Sequence, residues 1–116
     1  MILHRAMDLS GRLLIAALFA AGAVQKVASP TEVMDLLAGA GLPPLLVWPA
    51  AAFNAGAAVA LVAGWRLRAV ALALAAYCGA TSVFHLIPSD PWQMSIFVKN
   101  WAIAGGLLVL AASRRG

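Results

Sequence analysis

Four long apolar segments govern what this chain can fold into. They run over about residues 9–27, 44–63, 67–87 and 92–112, and short polar stretches separate them. A membrane-spanning helix needs about 20 apolar residues, and each segment is close to that length. Only helices and closed barrels satisfy their backbone hydrogen bonds in lipid. Because the segments are rich in Ala and Leu and lack strict alternation, they predict transmembrane helices.

Composition leads to the same conclusion. Of the 116 residues, 64% are hydrophobic and 10% are charged, whereas soluble domains are about 45–50% apolar and about 25% charged. A soluble fold of this size cannot bury so much apolar surface, so the surplus must face lipid. The sequence therefore predicts an all-α membrane protein, a four-transmembrane-helix bundle that forms a single domain over residues 1–116.

A further short helix is predicted between the first two spans, over about residues 30–40. Ser29 is placed to cap it, Pro30 suits the first helical position, and Glu32 is the expected capping-box partner of Ser29. Apolar residues fall on one face of this segment, away from Glu32 and Asp35. This pattern is typical of a helix that lies in the membrane interface.

Basic residues predict the orientation of the four spans. One side of the membrane receives six arginines and the other receives Lys26 and Lys99. Positive charge concentrates on the cytoplasmic side, so both termini are predicted to be cytoplasmic. The six arginines are Arg5, Arg12, Arg66, Arg68, Arg114 and Arg115. No basic patch with interleaved aromatic residues occurs, which argues against nucleic-acid binding.

Polar residues inside the apolar spans are the strongest functional clues, because such groups are costly in lipid and usually face the protein interior. Most of them fall in the predicted outer half of the membrane, where they could converge on one pocket. Two lysines and no carboxylate would make that pocket electropositive, which suits a quinone headgroup or a small anion. The candidate ligand-binding residues are Gln25, Lys26, Asn54, Tyr77, Thr81, His85, Lys99 and Asn100.

A structural explanation of these residues stays open beside the functional one. Polar side chains also join helices to one another, at an average of about 0.6 kcal/mol per hydrogen bond, and lysines near a membrane boundary snorkel towards water. Rows of small residues spaced by four, such as Ala52–Gly56–Ala60 and Ala102–Gly106, permit close helix packing or contact with a partner.

No complete catalytic or metal-binding motif is present, so no catalytic residue is assigned. Cys78 is the one cysteine, which excludes an intramolecular disulfide. His4 and His85 are predicted on opposite sides of the membrane, so a bis-histidine haem within one chain is not expected. The spacing of His, Cys and acidic residues matches no metal site, and the isolated chain is not expected to be an enzyme.

Several short motifs, in this order and spacing, resemble the DoxX family of small bacterial membrane proteins. They are Gly11-Arg12-Leu13-Leu14, Gly22, Lys26, Ala40-Gly41-Leu42-Pro43, Gly64-Trp65-Arg66, Phe84-His85 and Lys99-Asn100. The resemblance implies a four-helix protein of the bacterial inner membrane. One departure is Asn54, where many relatives look to have an acidic residue, so any role of that acid is in doubt here.

Three functions compete. Some DoxX relatives resemble subunits of quinone-linked sulfur oxidation, such as thiosulfate:quinone oxidoreductase, and others resemble anchors of redox or detoxifying enzymes. The resemblance therefore implies an accessory or anchoring subunit of a quinone-linked oxidoreductase, with a protein partner. The alternatives are a small-molecule or anion transporter or channel, and a purely structural assembly protein that forms homo-oligomers through its small-residue faces.

Overall fold

The computed structural model describes residues 2–114, and their regular structure is entirely helical. Four helical segments are long and apolar enough to cross a membrane, which confirms the predicted fold class. The five α-helices are α1 (Ile2–Ala28), α2 (Pro30–Gly39), α3 (Val47–Ala63), α4 (Leu67–Thr81) and α5 (Pro91–Ala112). Short 3-10 turns, Pro44–Leu46 and Ser82–His85, precede α3 and follow α4.

The chain divides into two compact units, Met1–Trp65 and Arg66–Gly116. The first contains α1 to α3 and the second contains α4 and α5. A single domain over residues 1–116 stays a prediction, as does the orientation in the membrane. One arginine used for that orientation, Arg115, lies outside the described residues.

The helix α1 begins at Ile2, about seven residues before the predicted span. Hydropathy finds only the apolar part of a helix, and helical structure continues here beyond it. An ion pair one turn apart, from Arg12 Nε to Asp8 Oδ2 at 3.1 Å, supports this polar end of the helix. The apolar span is therefore part of a longer helix.

The short helix α2 starts and ends close to the predicted limits, but the predicted capping box is wrong. Ser29 occupies the N-cap position without a side-chain capping bond. Its backbone N–H instead donates to the carbonyl of Gln25 at 2.8 Å, which closes the end of α1. Because one residue separates the two helices, Ser29 ends one helix and begins the next.

In the first unit, α1 and α3 run antiparallel and pack on each other. The buried residues of α3 recur at alternating steps of four and three, which is typical of helices that pack at a shallow angle. They include Val47, Ala51, Asn54, Ala58 and Leu61. The predicted small-residue row is only partly buried: Ala60 is buried, but Ala52 and Gly56 are exposed. A Cβ on Gly56 would meet no atom within 4 Å.

Arg12 ties α1 to the C-terminal end of α3. Its Nη1 donates to the carbonyl of Leu61 at 2.6 Å and lies 3.5 Å from that of Val62. The last carbonyls of a helix have no partner within the helix and carry the negative end of its dipole. A guanidinium satisfies both needs, so Arg12 acts as a cap for α3.

In the second unit, α4 and α5 form an antiparallel pair. The buried residues are again spaced by three and four, with Leu67, Ala71, Leu74 and Cys78 on α4 and Ala104, Leu107 and Ala111 on α5. The predicted turn before α5 is confirmed. Asp90 Oδ1 accepts hydrogen bonds from the backbone N–H groups of Trp92 at 3.0 Å and Gln93 at 3.3 Å. Pro91 is the first residue of α5.

We predict that Arg12→Leu lowers the free energy of unfolding by about 1.5–3 kcal/mol, the usual worth of a hydrogen bond to a charged group. The change leaves the α3 carbonyls and Asp8 without the guanidinium. Reversible unfolding in mixed detergent micelles measures the loss. Arg5→Leu is the matched control, because Arg5 lies on the same helix and is exposed. Equal losses in the two variants would contradict the capping role.

Replacing two glycines of the first unit by alanine should change the free energy of unfolding in opposite directions. Gly64 has a φ of 77°, and a Cβ there would lie 3.4 Å from Arg12 Nη1. Gly64→Ala should therefore destabilise by about 1–2 kcal/mol, the cost of a left-handed residue with a side chain. Gly56→Ala, within α3 and in open space, should stabilise by about 0.5–1 kcal/mol. The same unfolding assay compares them, and a shared sign would contradict the turn geometry.

Candidate functional site

The predicted polar residues are distributed over both units of the chain. Gln25, Lys26 and Asn54 belong to the first unit, and Tyr77, Thr81, His85, Lys99 and Asn100 belong to the second. Their convergence in one pocket stays a prediction.

In the first unit, Lys26 and Asn54 meet over Gly22. A Cβ on Gly22 would lie 3.7 Å from Lys26 Nζ and 3.7 Å from Asn54 Oδ1, and no other such contact within 4 Å is found. Asn54 is 1% exposed, whereas Lys26 and Gly22 are half-buried. Helix α1 supplies the lysine and the glycine one turn apart, and α3 supplies the amide. These three neighbouring residues are called the Lys26 recess below.

The direction of the Lys26 side chain separates the two explanations that the sequence leaves open. Lys26 lies two residues before the end of α1 at Ala28, so a snorkelling ammonium would extend towards that end. The side chain of a helical residue instead leans towards the N-terminus of its helix. Its Nζ accordingly lies beside Gly22, one turn deeper in the span than its own Cα.

This placement makes Lys26 an energetically demanding residue. A charged side chain inside the membrane is costly unless it is paired or reaches water. Within residues 2–114, no hydrogen bond or ion pair to the Lys26 side chain is found. Its neighbour Gln25 is exposed on another face of α1. The ammonium therefore has unused donors beside the Asn54 amide.

In the second unit, His85 is held by a residue that the sequence reasoning did not select. Its Nδ1 lies 2.7 Å from Gln93 Oε1. An amide oxygen only accepts, so Nδ1–H is the donor in this hydrogen bond. Gln93 is fixed in turn by the Asp90 cap at the start of α5. The hydrogen bond to Gln93 thus orients the His85 ring at the end of the 3-10 turn that follows α4.

The hydroxyls near the end of α4 bond to their own helix. Thr81 Oγ1 donates to the carbonyl of Tyr77 at 2.8 Å, and Ser82 Oγ donates to that of Gly79 at 2.6 Å. Such bonds are ordinary in membrane helices and need no ligand. They occur where the α-helix tightens into the 3-10 turn Ser82–His85. The contacts of Thr81 therefore support a structural role.

Lys99 differs from Lys26 in its surroundings. It is exposed on α5, about two turns after the start of that helix at Pro91. A lysine here leans towards the N-terminus of its helix, which is the nearer end, and this direction favours snorkelling. Asn100 beside it is half-buried. The two lysines thus differ in position and exposure: Lys26 is half-buried near the C-terminal end of α1, and Lys99 is exposed in the first half of α5.

Two apolar grooves run along the packed pair of α1 and α3, with volumes of about 530 and 490 Å³. Alanines line most of them, and Trp48 lies in the first. No candidate polar residue is among their lining residues, so these grooves suit lipid chains. Within the described part of the chain, no three His, Cys, Asp or Glu side chains are grouped in a way that could hold a metal ion.

Gly22, Gln93 and the pair Asp8–Arg12 are the site and packing residues that sequence reasoning missed. Gly22 precedes Lys26 by one helical turn, and this spacing is a signal that could have revealed the recess. The His85–Gln93 pair crosses a turn, and its two residues are eight apart in sequence. No helical periodicity links such a pair.

Comparison with known proteins identifies the family. The model of the DoxX family matches residues 7–86, which is more than half of the chain. No curated protein and no solved structure shows significant similarity to the chain. The matched region includes the whole Lys26 recess and extends to His85. With its four helices long and apolar enough to span a membrane, this chain is a multi-pass membrane protein that belongs to the DoxX family.

Proposed function

We propose that the chain is an accessory or anchoring membrane subunit of a quinone-linked oxidoreductase system. Its family membership and four candidate spans support a role within the bilayer. Most of its residues lie in these helices, and its one cysteine is buried without a second thiol in the chain. In this proposal a partner protein carries out the electron transfer, and the chain supplies binding groups at membrane depth.

The proposal rests on one observation: the Lys26 side chain extends towards Gly22, into the span and away from the nearby end of α1. An ammonium in hydrocarbon needs a hydrogen-bond acceptor, and within residues 2–114 no hydrogen bond from its Nζ is found. A quinone is soluble in the bilayer and offers two neutral carbonyl oxygens as acceptors. It can therefore reach the Lys26 recess from the lipid and satisfy the lysine there.

A small-anion transporter is the second candidate, because the positive charge of Lys26 also attracts anions. The neighbouring group decides between the two. Asn54 presents its oxygen, Oδ1, towards the same space as the ammonium. An amide oxygen repels an anion but accepts a hydrogen bond from a hydroxyl. Beside the Asn54 oxygen, the hydroxyl of a reduced quinone is therefore favoured over a simple anion.

Purification in mild detergent from the native host tests the proposed role. Mass spectrometry of the wild-type sample should identify a redox protein partner and an extracted quinone. Lys26→Met should retain the partner and lose most of the quinone, because it removes the donor and keeps a similar volume. Lys99→Met is the matched control and should retain both, since Lys99 is exposed.

Two outcomes would contradict the proposed role. One is an empty homo-oligomer that contains neither a redox partner nor a quinone. The other is transport of a simple anion into liposomes by the chain alone, abolished in Lys26→Met and retained in Lys99→Met. The second outcome would assign the lysine to transport.

A further inference from the structure

We propose that α1 pairs in parallel with the α1 of a second copy of this chain. The surface that pairs is an exposed row of side chains on α1, called the α1 seam below. Its members follow one another at alternating steps of four and three residues, starting with Leu3, Met7, Ser10 and Leu14 and ending with Val24 and Ala28. This inference concerns association of the chain with itself and goes beyond the proposed function.

The spacing of the α1 seam is the heptad repeat of a coiled coil. A period of about 3.5 residues keeps one row of side chains facing a partner helix over the whole length of the pair. Every member of the row is exposed, and all except Ser10 are apolar. The face of α1 that packs on α3 carries Ala16, Phe19 and Ala23 instead. The α1 seam is therefore available to a second partner.

Lipid can cover only part of the α1 seam, because α1 is longer than the membrane core. At about 1.5 Å per residue its 27 residues extend over about 40 Å, whereas the hydrocarbon core of a bilayer is about 30 Å thick. Of the two grooves between α1 and α3, one is lined by Ala28 and Trp48 and the other by Leu13 and Ala63. The two helices therefore lie side by side from Leu13 to Ala28, and the excess length is at the N-terminal end of α1.

The N-terminal extension of α1 carries apolar side chains out of the lipid. Residues 2–10 add about 13 Å to the paired part of the helix, and the headgroup layer is only about 5–7 Å deep on each side of the core. Leu3 and Met7 belong to this extension and are 71% and 60% exposed. Exposed apolar side chains outside lipid mark a contact surface. Lipid therefore explains the exposure of Leu14 and Val24, but not that of Leu3 and Met7.

The positions of the charged residues favour a second copy as the partner. Copies inserted in the same direction have parallel α1 helices, so each seam residue meets its own counterpart across a two-fold axis. Arg12 and Asp8 are paired on the side of α1 that faces α3, and Arg5, about two turns earlier, shares that side. Lys26 lies beside Asn54 of α3. The α1 seam is therefore free of charge, and a parallel pair brings no like charges together.

Cysteine cross-linking in cell membranes tests the pairing. The natural cysteine, Cys78, is buried and is first removed by Cys78→Ala. Met7→Cys and Leu14→Cys, each introduced alone, should then give a disulfide-linked product of twice the chain mass on oxidation, because each position faces its counterpart. Arg5→Cys is the matched control. Arg5 is exposed on the same extension but lies on the other side of the helix, so this variant should stay monomeric.

A second measurement uses charge in place of a disulfide. Met7→Glu puts two like charges at one seam position and should raise the dissociation constant of the pair in detergent micelles about tenfold or more. Arg5→Glu changes the charge away from the α1 seam and should leave that constant unchanged. Energy transfer between labelled copies measures the constant. Circular dichroism should show both variants folded, since both residues are exposed.

Equal cross-linking of Met7→Cys and Arg5→Cys would indicate random collisions and would overturn the pairing. Linkage of Met7→Cys to a different protein, which the mass of the product reveals, would overturn it in favour of another partner. The result does not depend on the proposed redox role. A seam-dependent pair that contains neither a redox partner nor a quinone supports the α1 seam and contradicts only the subunit role.

Discussion

Hydrocarbon offers no hydrogen-bond partner, and this constraint determines where the polar groups of the chain lie. Each must be satisfied by the protein, by the membrane surface or by a bound molecule. Arg12 bonds to the end of α3, Thr81 bonds to its own helix, and His85 bonds to Gln93. The protein itself therefore supplies the hydrogen-bond partners of these three side chains. Lys26 is different, because its ammonium turns away from the nearby helix end and enters the span.

Helix direction explains why two lysines near helix ends have different environments. Side chains lean towards the N-terminus of a helix. Lys26 lies near the C-terminus of α1, so this lean carries its charge into the span. Lys99 follows the N-terminus of α5, so the same lean brings its charge towards the end of that helix. A topology prediction that counts basic residues treats the two lysines alike, although their surroundings differ.

Hydropathy predicted the number and the approximate limits of the spans, because each apolar run is long and bounded by Gly, Pro or charged residues. It could not predict which face of a helix packs. On α3 the rows that contain Asn54 and Gly56 are both rich in small residues, but Asn54 is buried and Gly56 is exposed. Contacts between helices decide this, and they are not encoded in the local pattern. The capping box at Ser29 was predicted wrongly for a similar reason, since the Gln25 carbonyl at the end of α1 accepts the hydrogen bond of the Ser29 N–H group.

The candidate site was predictable as residue types and only partly as geometry. Lys26 and Asn54 stand out because polar residues are rare in apolar runs. Their proximity depends on the antiparallel register of α1 and α3, which Arg12 helps to fix by bonding to Leu61. In this register Gly22 faces Asn54. The capping arginine and the recess are thus linked: a shift of α3 along α1 by one turn would separate the amide from the ammonium. The same contact that stabilises the first unit therefore also positions the groups to which we assign ligand binding.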